Sequence, residues 1–169
     1  MKKAEQLNVE RMFKNACSFC DVAEICEKEN SLIDNSVILH NVPSIVNSVL
    51  ACEIFLKALL VKQNYEDFKN KHDLWNLWKK IKVYYKNKCN DIEKACINFY
   101  YPTGRNVDNE IFVKKMKSIR NSFVQWRYVY EYDELSLDRN FIIFLRDVLR
   151  NFCCEEICNK CWSDYIKKE

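Results

Sequence analysis

The sequence contains very little of the two residues that end helices and form tight turns. Its 169 residues include one glycine, Gly104, and two prolines, Pro43 and Pro102, where average usage is roughly 7% and 5%. Folds rich in β-strands need these residues at their turns, so their scarcity argues against such folds and predicts helices throughout. No linker divides the sequence, and single cores of roughly 100 to 200 residues are common. One domain spanning residues 1–169 is therefore expected.

Long hydrophobic runs and a secretory leader are also lacking. The first residues, "MKKAEQLNVERMF", carry positive charge but no apolar core, which argues against a signal peptide. No segment approaches the ~18 uninterrupted apolar residues of a membrane span. We expect a cytoplasmic protein that does not enter a membrane. The net charge of +3 permits contact with nucleic acid without indicating it.

The residues that are present suit a helical globular domain. Apolar residues make up 49% of the chain and charged residues 30%, a composition that argues against disorder. Apolar side chains recur at helical spacing, which predicts an all-α bundle of about five helices, at residues 4–28, 43–62, 73–101 with a kink, 108–132 and 137–166. The stripe expected to face the core in the first helix consists of Met12, Ala16, Phe19, Ala23 and Cys26. In the second helix, with Pro43 in its first turn, it consists of Ile45, Val49, Cys52, Leu56 and Leu59, and in the third of Leu74, Leu77, Trp78 and Ile81.

Ten cysteines leave several interpretations open. The pairs Cys17 with Cys20 and Cys158 with Cys161 have the Cys-x-x-Cys spacing of a tetrahedral zinc site. Both pairs also lie in helical periodicity, where cysteine packs as a small hydrophobe, and cytosolic thiols are usually reduced. A redox disulfide is a further alternative. We expect no cofactor and keep these four cysteines as weak metal candidates.

The most polar and aromatic segment is "SIRNSFVQWRYVYE", residues 118–131. On a helix, one stripe of apolar residues faces the core, and it comprises Phe112, Met116, Ile119, Phe123, Trp126 and Tyr130. Two neighbouring stripes are polar, and they contain Arg120, Arg127 and Glu131 in one and Asn121, Gln125 and Tyr128 in the other. These groups suit a ligand or a partner subunit, or else the arginines form internal ion pairs with Glu53 or Glu131. Glu53 itself is expected either outward beside Lys57 or inward against a buried cation.

Three segments in series resemble the HEPN (higher eukaryotes and prokaryotes nucleotide-binding) domain family. They are "ACEIFLKALL", "KHDLWNLW" and "IRNSFVQWRYVYE", in the order and approximate separation seen in that family. The resemblance implies an all-α bundle that commonly forms a homodimer with a composite cleft between the motif helices. Many members are metal-independent endoribonucleases of toxin, CRISPR or phage-defence systems, and others bind nucleotides or act as non-catalytic partners.

The catalytic signature of the nuclease members is only partly present. Arg120 and Asn121 match it, but Gln125 stands where the motif histidine would fall, and a glutamine amide cannot act as a general base. Arg120 and Arg127 are expected to bind phosphate, with Tyr128, Glu131 and Glu53 completing the ligand-binding set. The catalytic set is therefore Arg120, Asn121 and Gln125 in a degenerate motif.

The chain has only two histidines, His40 and His72. His72 precedes Asp73, the expected N-cap of the third helix, and it either packs there or contributes to catalysis if the fold brings that helix start to the cleft. Lysines in the third and fourth helices either cover solvated faces or form a track for RNA; they are Lys79, Lys80, Lys82, Lys86, Lys88, Lys114, Lys115 and Lys117.

The expected function is therefore that of a HEPN-like homodimer that binds RNA or nucleotide, in bacterial defence or a toxin–antitoxin system, with weak or no endoribonuclease activity. An operon-encoded partner protein is a further expectation. The alternative is a non-catalytic dimerisation or partner-interaction module with a structural Arg–Glu network.

Overall fold

The computed structural model describes residues 8–30, 38–65, 67–68, 71–120 and 137–168. Within these ranges the chain is all-α, with seven α-helices and no strand, which confirms the predicted class although the number of helices exceeds five. The helices are α1 Val9–Asn30, α2 Ile38–Lys62, α3 Leu74–Tyr84, α4 Lys86–Tyr100, α5 Ile111–Ser118, α6 Arg139–Cys158 and α7 Trp162–Tyr165, and a 3-10 turn follows at Ile166–Lys168.

Two local breaks account for the additional helices. Tyr85 has a non-helical backbone, with φ of −124° and ψ of 46°, and it separates α3 from α4. Its hydroxyl accepts a hydrogen bond from Gln63 and its ring packs edge-on against Phe152, so tertiary contacts fix the break. Asn159 adopts the left-handed conformation with φ of 54° and ends α6, a role that asparagine tolerates better than most residues.

Helix α2 is the centre of the core. It packs along α1 and against α3 and α6, and it is therefore buried on nearly all sides. The predicted stripe is confirmed, and its members are Ile45, Val49, Cys52, Leu56 and Leu59. The helix begins at Ile38, so Pro43 lies inside it and not in the first turn as predicted.

The apolar character of α2 also bears on membrane association. Contrary to expectation, Val42–Lys62 is long and apolar enough to cross a membrane by length and composition. However, 67% of the tested window is buried inside the protein, and a lipid-facing span would not need that packing. The helix is thus mostly packed inside the protein.

The stripe predicted to face the core in α1 is confirmed at Ala16 and Ala23 and wrong at its other three positions. The fully buried residues of α1 are Phe13, Ala16, Cys20 and Ala23, whereas the predicted Met12, Phe19 and Cys26 are partly exposed. The Phe13 ring contacts the aromatic rings of Phe55, Trp162 and Tyr165. This aromatic cluster determines which face of α1 is turned towards the core. The spacing of apolar residues in the sequence predicts that face only to within one residue.

Helices α1 and α6 are joined by a buried ionic contact. The Arg146 guanidinium, whose side chain is 3% exposed, donates to Glu27 at 2.7 Å and to the Ser48 hydroxyl at 3.2 Å. It also donates to Asp147 at 3.0 Å. Burial alone would lower the pKa of Arg146, but the hydrogen bond to Glu27 and the charges of Glu27 and Asp147 raise that pKa above its ordinary value.

The N-cap of α6 gives a stability prediction that depends on pH. Asp138 accepts hydrogen bonds from the backbone N–H of Phe141, from the Tyr100 hydroxyl and from Lys115. Burial raises the pKa of Asp138, yet these hydrogen bonds outweigh burial and lower the pKa below 3.8. Because the folded pKa is lowered, the stabilising contribution is present above the unfolded value of 3.8 and is lost as pH falls through the folded pKa.

We therefore expect Asp138→Asn to lower the free energy of unfolding by about 1 to 2 kcal/mol at neutral pH, since asparagine keeps the cap but loses the charge. The loss should be smaller at about pH 3, because this contribution begins to decline once the pH falls below 3.8. Urea unfolding at both pH values measures it. Asp164→Asn, at an exposed carboxylate, is the control and should change little, and an equal loss for Asp138→Asn at both pH values would contradict the prediction.

Candidate functional site

The start of α3 holds Arg120 at the protein surface. Asp73 caps the helix by accepting the backbone N–H of Asn76 at 3.0 Å, which confirms the predicted N-cap. The same carboxylate accepts the Arg120 Nε–H at 2.9 Å and a second hydrogen bond from Nη2. In return, the Leu74 backbone N–H donates to the Arg120 carbonyl at 3.0 Å. Side-chain and backbone contacts thus attach Arg120, just beyond α5, to the first turn of α3.

This attachment leaves the guanidinium accessible. The Arg120 side chain is 47% exposed, whereas Asp73 is 17% exposed. A guanidinium carries five N–H donors in a planar fork, and Asp73 accepts two of these hydrogen bonds through a single oxygen. The group can therefore contact an external anion from its exposed side while it remains oriented by Asp73.

His72, immediately before Asp73, contacts a buried carboxylate. Its Nδ1 lies 3.0 Å from Oε1 and 3.2 Å from Oε2 of Glu53. Glu53 also accepts a hydrogen bond from Lys57 Nζ at 2.8 Å. The Glu53 side chain is 4% exposed and that of His72 is 45% exposed, so the imidazole connects an internal charge to the surface.

Glu53 was predicted to point either outward beside Lys57 or inward towards a buried cation, and the structure shows a part of each. The predicted pairing with Lys57 is present, but the outward orientation is wrong, because the residue is buried. A buried carboxylate needs a charged or hydrogen-bonding partner, and Glu53 has two. One of them, His72, comes from the loop that precedes α3.

The exposed face of α3 continues from Asp73 as a basic surface. A cavity of about 320 Å³ is lined by Lys71, Asn76, Lys79, Lys80 and Val83. The Asn76 side chain donates to Asp73 at 2.9 Å, and Asp73 binds Arg120, so the cavity and Arg120 are neighbours. Positions 76, 79, 80 and 83 share one helical face, opposite the buried residues Leu74, Leu77, Trp78 and Ile81.

Aromatic rings accompany these lysines. Lys79 Nζ lies 5.7 Å from the centroid of the Trp75 ring, and Lys80 Nζ lies 4.4 Å from that of Tyr65. The carboxylate of Asp67 is 2.8 Å from Lys71 Nζ, and this hydrogen bond lowers the pKa of Asp67 and raises that of Lys71. We define Lys71, Lys79, Lys80 and Asn76 as the α3 basic face.

Four further lysines, one on α3, one on α4 and two on α5, are engaged in ion pairs. Lys82 binds Glu93 at 2.6 Å, and Lys114 binds Asp108 at 2.7 Å. Lys88 pairs with Glu155 and Lys115 with Asp138. These contacts favour solvated structural roles for these four lysines. In the α3 basic face, Lys71 and Lys80 also lie near a carboxylate, that of Asp67, at 2.8 Å and 3.9 Å.

The remaining predicted site residues lie outside the described part of the chain. They are Asn121, Gln125, Arg127, Tyr128 and Glu131. Of the predicted set, Arg120 and Glu53 are described. The structure brings both to the start of α3, where Arg120 binds Asp73 and Glu53 binds His72.

The cysteines that were weak metal candidates do not assemble into a site. Across the described residues, no group of three or more His, Cys, Asp or Glu side chains is placed to hold a metal ion. All ten cysteines are free thiols. Burial raises the pKa of Cys20 to about 12 and that of Cys17 further above its ordinary value, so both behave as packed thiols, whereas Cys161 is exposed.

Sequence reasoning missed the contact between His72 and Glu53 and the cavity of the α3 basic face. The signal for the first was a lone acid within the apolar run of α2, together with a histidine at a helix start. Comparison of the chain with protein-family models, curated proteins and solved structures finds no match.

Proposed function

We propose that this chain is a HEPN-like protein that binds RNA or nucleotide at the start of α3, with weak or no metal-independent endoribonuclease activity. The observation that carries the proposal is the half-exposed Arg120 guanidinium beside the α3 basic face. Arginine suits phosphate because its fork makes paired charge-assisted hydrogen bonds. Interleaved lysines and aromatic rings suit the backbone and bases of a single strand.

The rest of the proposal follows from the family resemblance. We place the protein in the cytoplasm, as a homodimer whose motif helices form a shared cleft, in bacterial defence or a toxin–antitoxin system with an operon-encoded partner. The resemblance rests on three motifs in series, and the second of them, "KHDLWNLW", contains the α3 start that binds Arg120. The contact between two of the three motifs supports their acting at one site.

Replacing Arg120 tests the binding site. We expect Arg120→Ala to weaken binding of a 5′-fluorescent single-stranded RNA by about 10- to 100-fold, because hydrogen bonds to charged groups contribute about 1.5–3 kcal/mol. Arg120→Lys should bind at an intermediate level, since it keeps the charge without the fork. Fluorescence anisotropy at fixed salt measures the dissociation constants.

The matched control is Lys88→Ala, which removes one positive charge at the contact between α4 and α6. It should change the RNA dissociation constant less than threefold. If Arg120→Ala binds RNA as well as the unmodified chain does, with unchanged thermal unfolding, the proposed site is wrong. Equal losses for both variants would indicate a general charge effect instead of a site.

The second candidate function is a non-catalytic dimerisation or partner-interaction module. The observation favouring it is that Glu53 is held by Lys57 and His72 in an internal ionic contact, which is the kind of role expected of a structural network. Such a module would fail to bind RNA in the anisotropy measurement. Light scattering across the micromolar range separates its dimeric form from a monomer.

A further inference from the structure

Helices α4 and α6 lie side by side in opposite directions and are joined at both ends by polar contacts. At one end Lys88 pairs with Glu155, and at the other the Tyr100 hydroxyl donates to Asp138 at 2.6 Å. Between these contacts the two helices are not closely packed, because α4 packs on α3 and α5, whereas α6 packs on α1 and α2. A groove therefore runs between them.

The floor of this groove is apolar and open to solvent. Two adjoining cavities of about 250 Å³ and 210 Å³ follow it, and Val148 lines both. Phe99 is 50% exposed, and its ring centroid lies 5.3 Å from that of Phe144 across the groove. We define the α4–α6 groove by its apolar lining residues, which are Ile92, Ala95, Phe99, Ile143, Phe144 and Val148.

The length of the groove matches a short helix. Its lining residues on α4 extend from Lys88 to Phe99, which is about three helical turns and about 16 Å. Those on α6 extend from Asn140 to Phe152. Helices that bind in grooves insert apolar residues at i, i+3 or i+4 and i+7. A bound helix of about three turns would therefore cover the apolar floor from end to end.

The rims of the groove are acidic. Asp91, on the α4 rim, is exposed and makes no hydrogen bond or ion pair within the described part of the chain. Asp147, on the α6 rim, accepts from two arginines through Oδ1, and its Oδ2 accepts no hydrogen bond from any described residue. Lys88 also lines the groove, but its charge is paired with Glu155. A ligand of this groove therefore needs a basic group beside its apolar residues.

The same charges argue against two other occupants. Carboxylates on both rims would repel RNA phosphates, and the lysines suited to phosphate lie elsewhere, on the α3 basic face. A symmetric dimer brings the same patch of both copies together, which would gather the acidic rims of both in one interface. The groove therefore suits a different protein, and its role does not depend on RNA binding.

We propose that the α4–α6 groove binds an amphipathic helix of a partner protein, with apolar residues at i, i+3 or i+4 and i+7 and a lysine or arginine beside them. The apolar residues of that helix cover Phe99, Phe144 and Val148, and burial of this surface drives association. The basic residue pairs with Asp91 or with Oδ2 of Asp147, which sets the orientation of the bound helix.

The test uses two designed fluorescent peptides of about 18 residues, long enough to form a helix. Both carry leucine at the same helical spacing. The other positions hold lysine and alanine in the first peptide and glutamate and alanine in the second. We expect the leucine–lysine peptide to bind saturably, one per chain, and about tenfold more tightly than the leucine–glutamate peptide. Fluorescence anisotropy at fixed salt measures both dissociation constants.

A bulky substitution tests whether the peptide occupies the groove. Ala95→Trp places an indole ring in the groove and should weaken binding of the leucine–lysine peptide by about tenfold or more, because the ring clashes with the bound helix. Val22→Trp adds the same ring at an exposed position of α1 and should leave binding unchanged. Circular dichroism checks that both variants keep their helices.

Charge reversal tests the acidic rim. Asp91→Lys should weaken binding of the leucine–lysine peptide by about 3- to 10-fold and strengthen that of the leucine–glutamate peptide by a similar factor. Asp21→Lys makes the same change on α1, at an exposed carboxylate that also makes no hydrogen bond or ion pair with the described residues. It should change neither dissociation constant.

Each of three results would overturn the inference. Equal affinities for the two peptides would contradict recognition by the acidic rims. Binding that is unchanged in Ala95→Trp would place the peptide on another surface. If light scattering shows that the unmodified chain is a dimer and that Ala95→Trp is a monomer, a second copy of the chain occupies the groove in place of a partner helix.

Discussion

Gln125→His should raise the rate of RNA cleavage in excess EDTA by about 10²- to 10⁴-fold over the unmodified protein, the usual contribution of one acid–base group. In the HEPN pattern that we propose for this chain, the catalytic histidine falls at position 125, and glutamine can hydrogen bond there without exchanging a proton. Metal-independent cleavage needs a proton removed from the 2′ oxygen and another given to the leaving oxygen. A histidine at position 125 would supply one of these two proton transfers.

The controls for this gain use the phosphate-binding arginine. Gln125→His combined with Arg120→Ala should lose the added activity, because the phosphorane charge is no longer stabilised. Gln125→Asn keeps an amide and should remain at the original rate. If Gln125→His binds RNA but cleaves it no faster than the unmodified chain does, residue 125 does not take part in the reaction. The family's catalytic motif would then not apply to this chain.

Arg146→Ala should have the largest effect on stability, lowering the free energy of unfolding by about 3 to 5 kcal/mol. The substitution removes a 3% exposed guanidinium and leaves Glu27, at 18% exposure, without its cation. Ser48 loses its hydrogen-bond donor at the same time. For a domain of this size the melting temperature should fall by about 6 to 20 °C. Urea unfolding followed by circular dichroism measures the change.

Two variants test whether the loss of stability comes from a buried carboxylate that has lost its cation. Lys88→Ala, which breaks the half-exposed pair with Glu155, should cost at most about 1 kcal/mol. Arg146→Met combined with Glu27→Leu removes both charges and should cost less than Arg146→Ala alone, because no carboxylate is left uncompensated. A loss below about 1 kcal/mol for Arg146→Ala would contradict the prediction, because it would show that the contact contributes no more than a solvent-exposed ion pair.

The parts of the fold that sequence could predict are those set by neighbouring residues. Asp73 as the cap of α3 and the buried stripe from Leu74 to Ile81 follow from local hydrogen bonding and helical spacing, and both are confirmed. The stripe of α2 from Ile45 to Leu59 is confirmed for the same reason. In α1 the stripe is confirmed at Ala16 and Ala23 but wrong at its other three positions. The reason is that the Phe13 ring cluster depends on residues far along the chain.

The candidate site depended on contacts that the sequence does not encode locally. Glu53 and His72 are 19 positions apart and Asp73 and Arg120 are 47 apart, so their contacts require the assembled bundle. Arg146 was missed because it lies beside the apolar stripe of α6, where an arginine normally reaches solvent. Its burial depends on two distant partners, Glu27 on α1 and Ser48 on α2.

The ionic contact between α1 and α6 has a consequence for biosynthesis. Glu27 and Arg146 are separated by 119 positions, which takes a ribosome on the order of 6 to 24 s at about 5–20 residues per second. Helices α1 and α2 can pair early, but the apolar surface of α2 that packs on α6 has no cover during this interval. Translation must therefore reach α6 before the bundle can be completed and before Arg146 can contact its carboxylate.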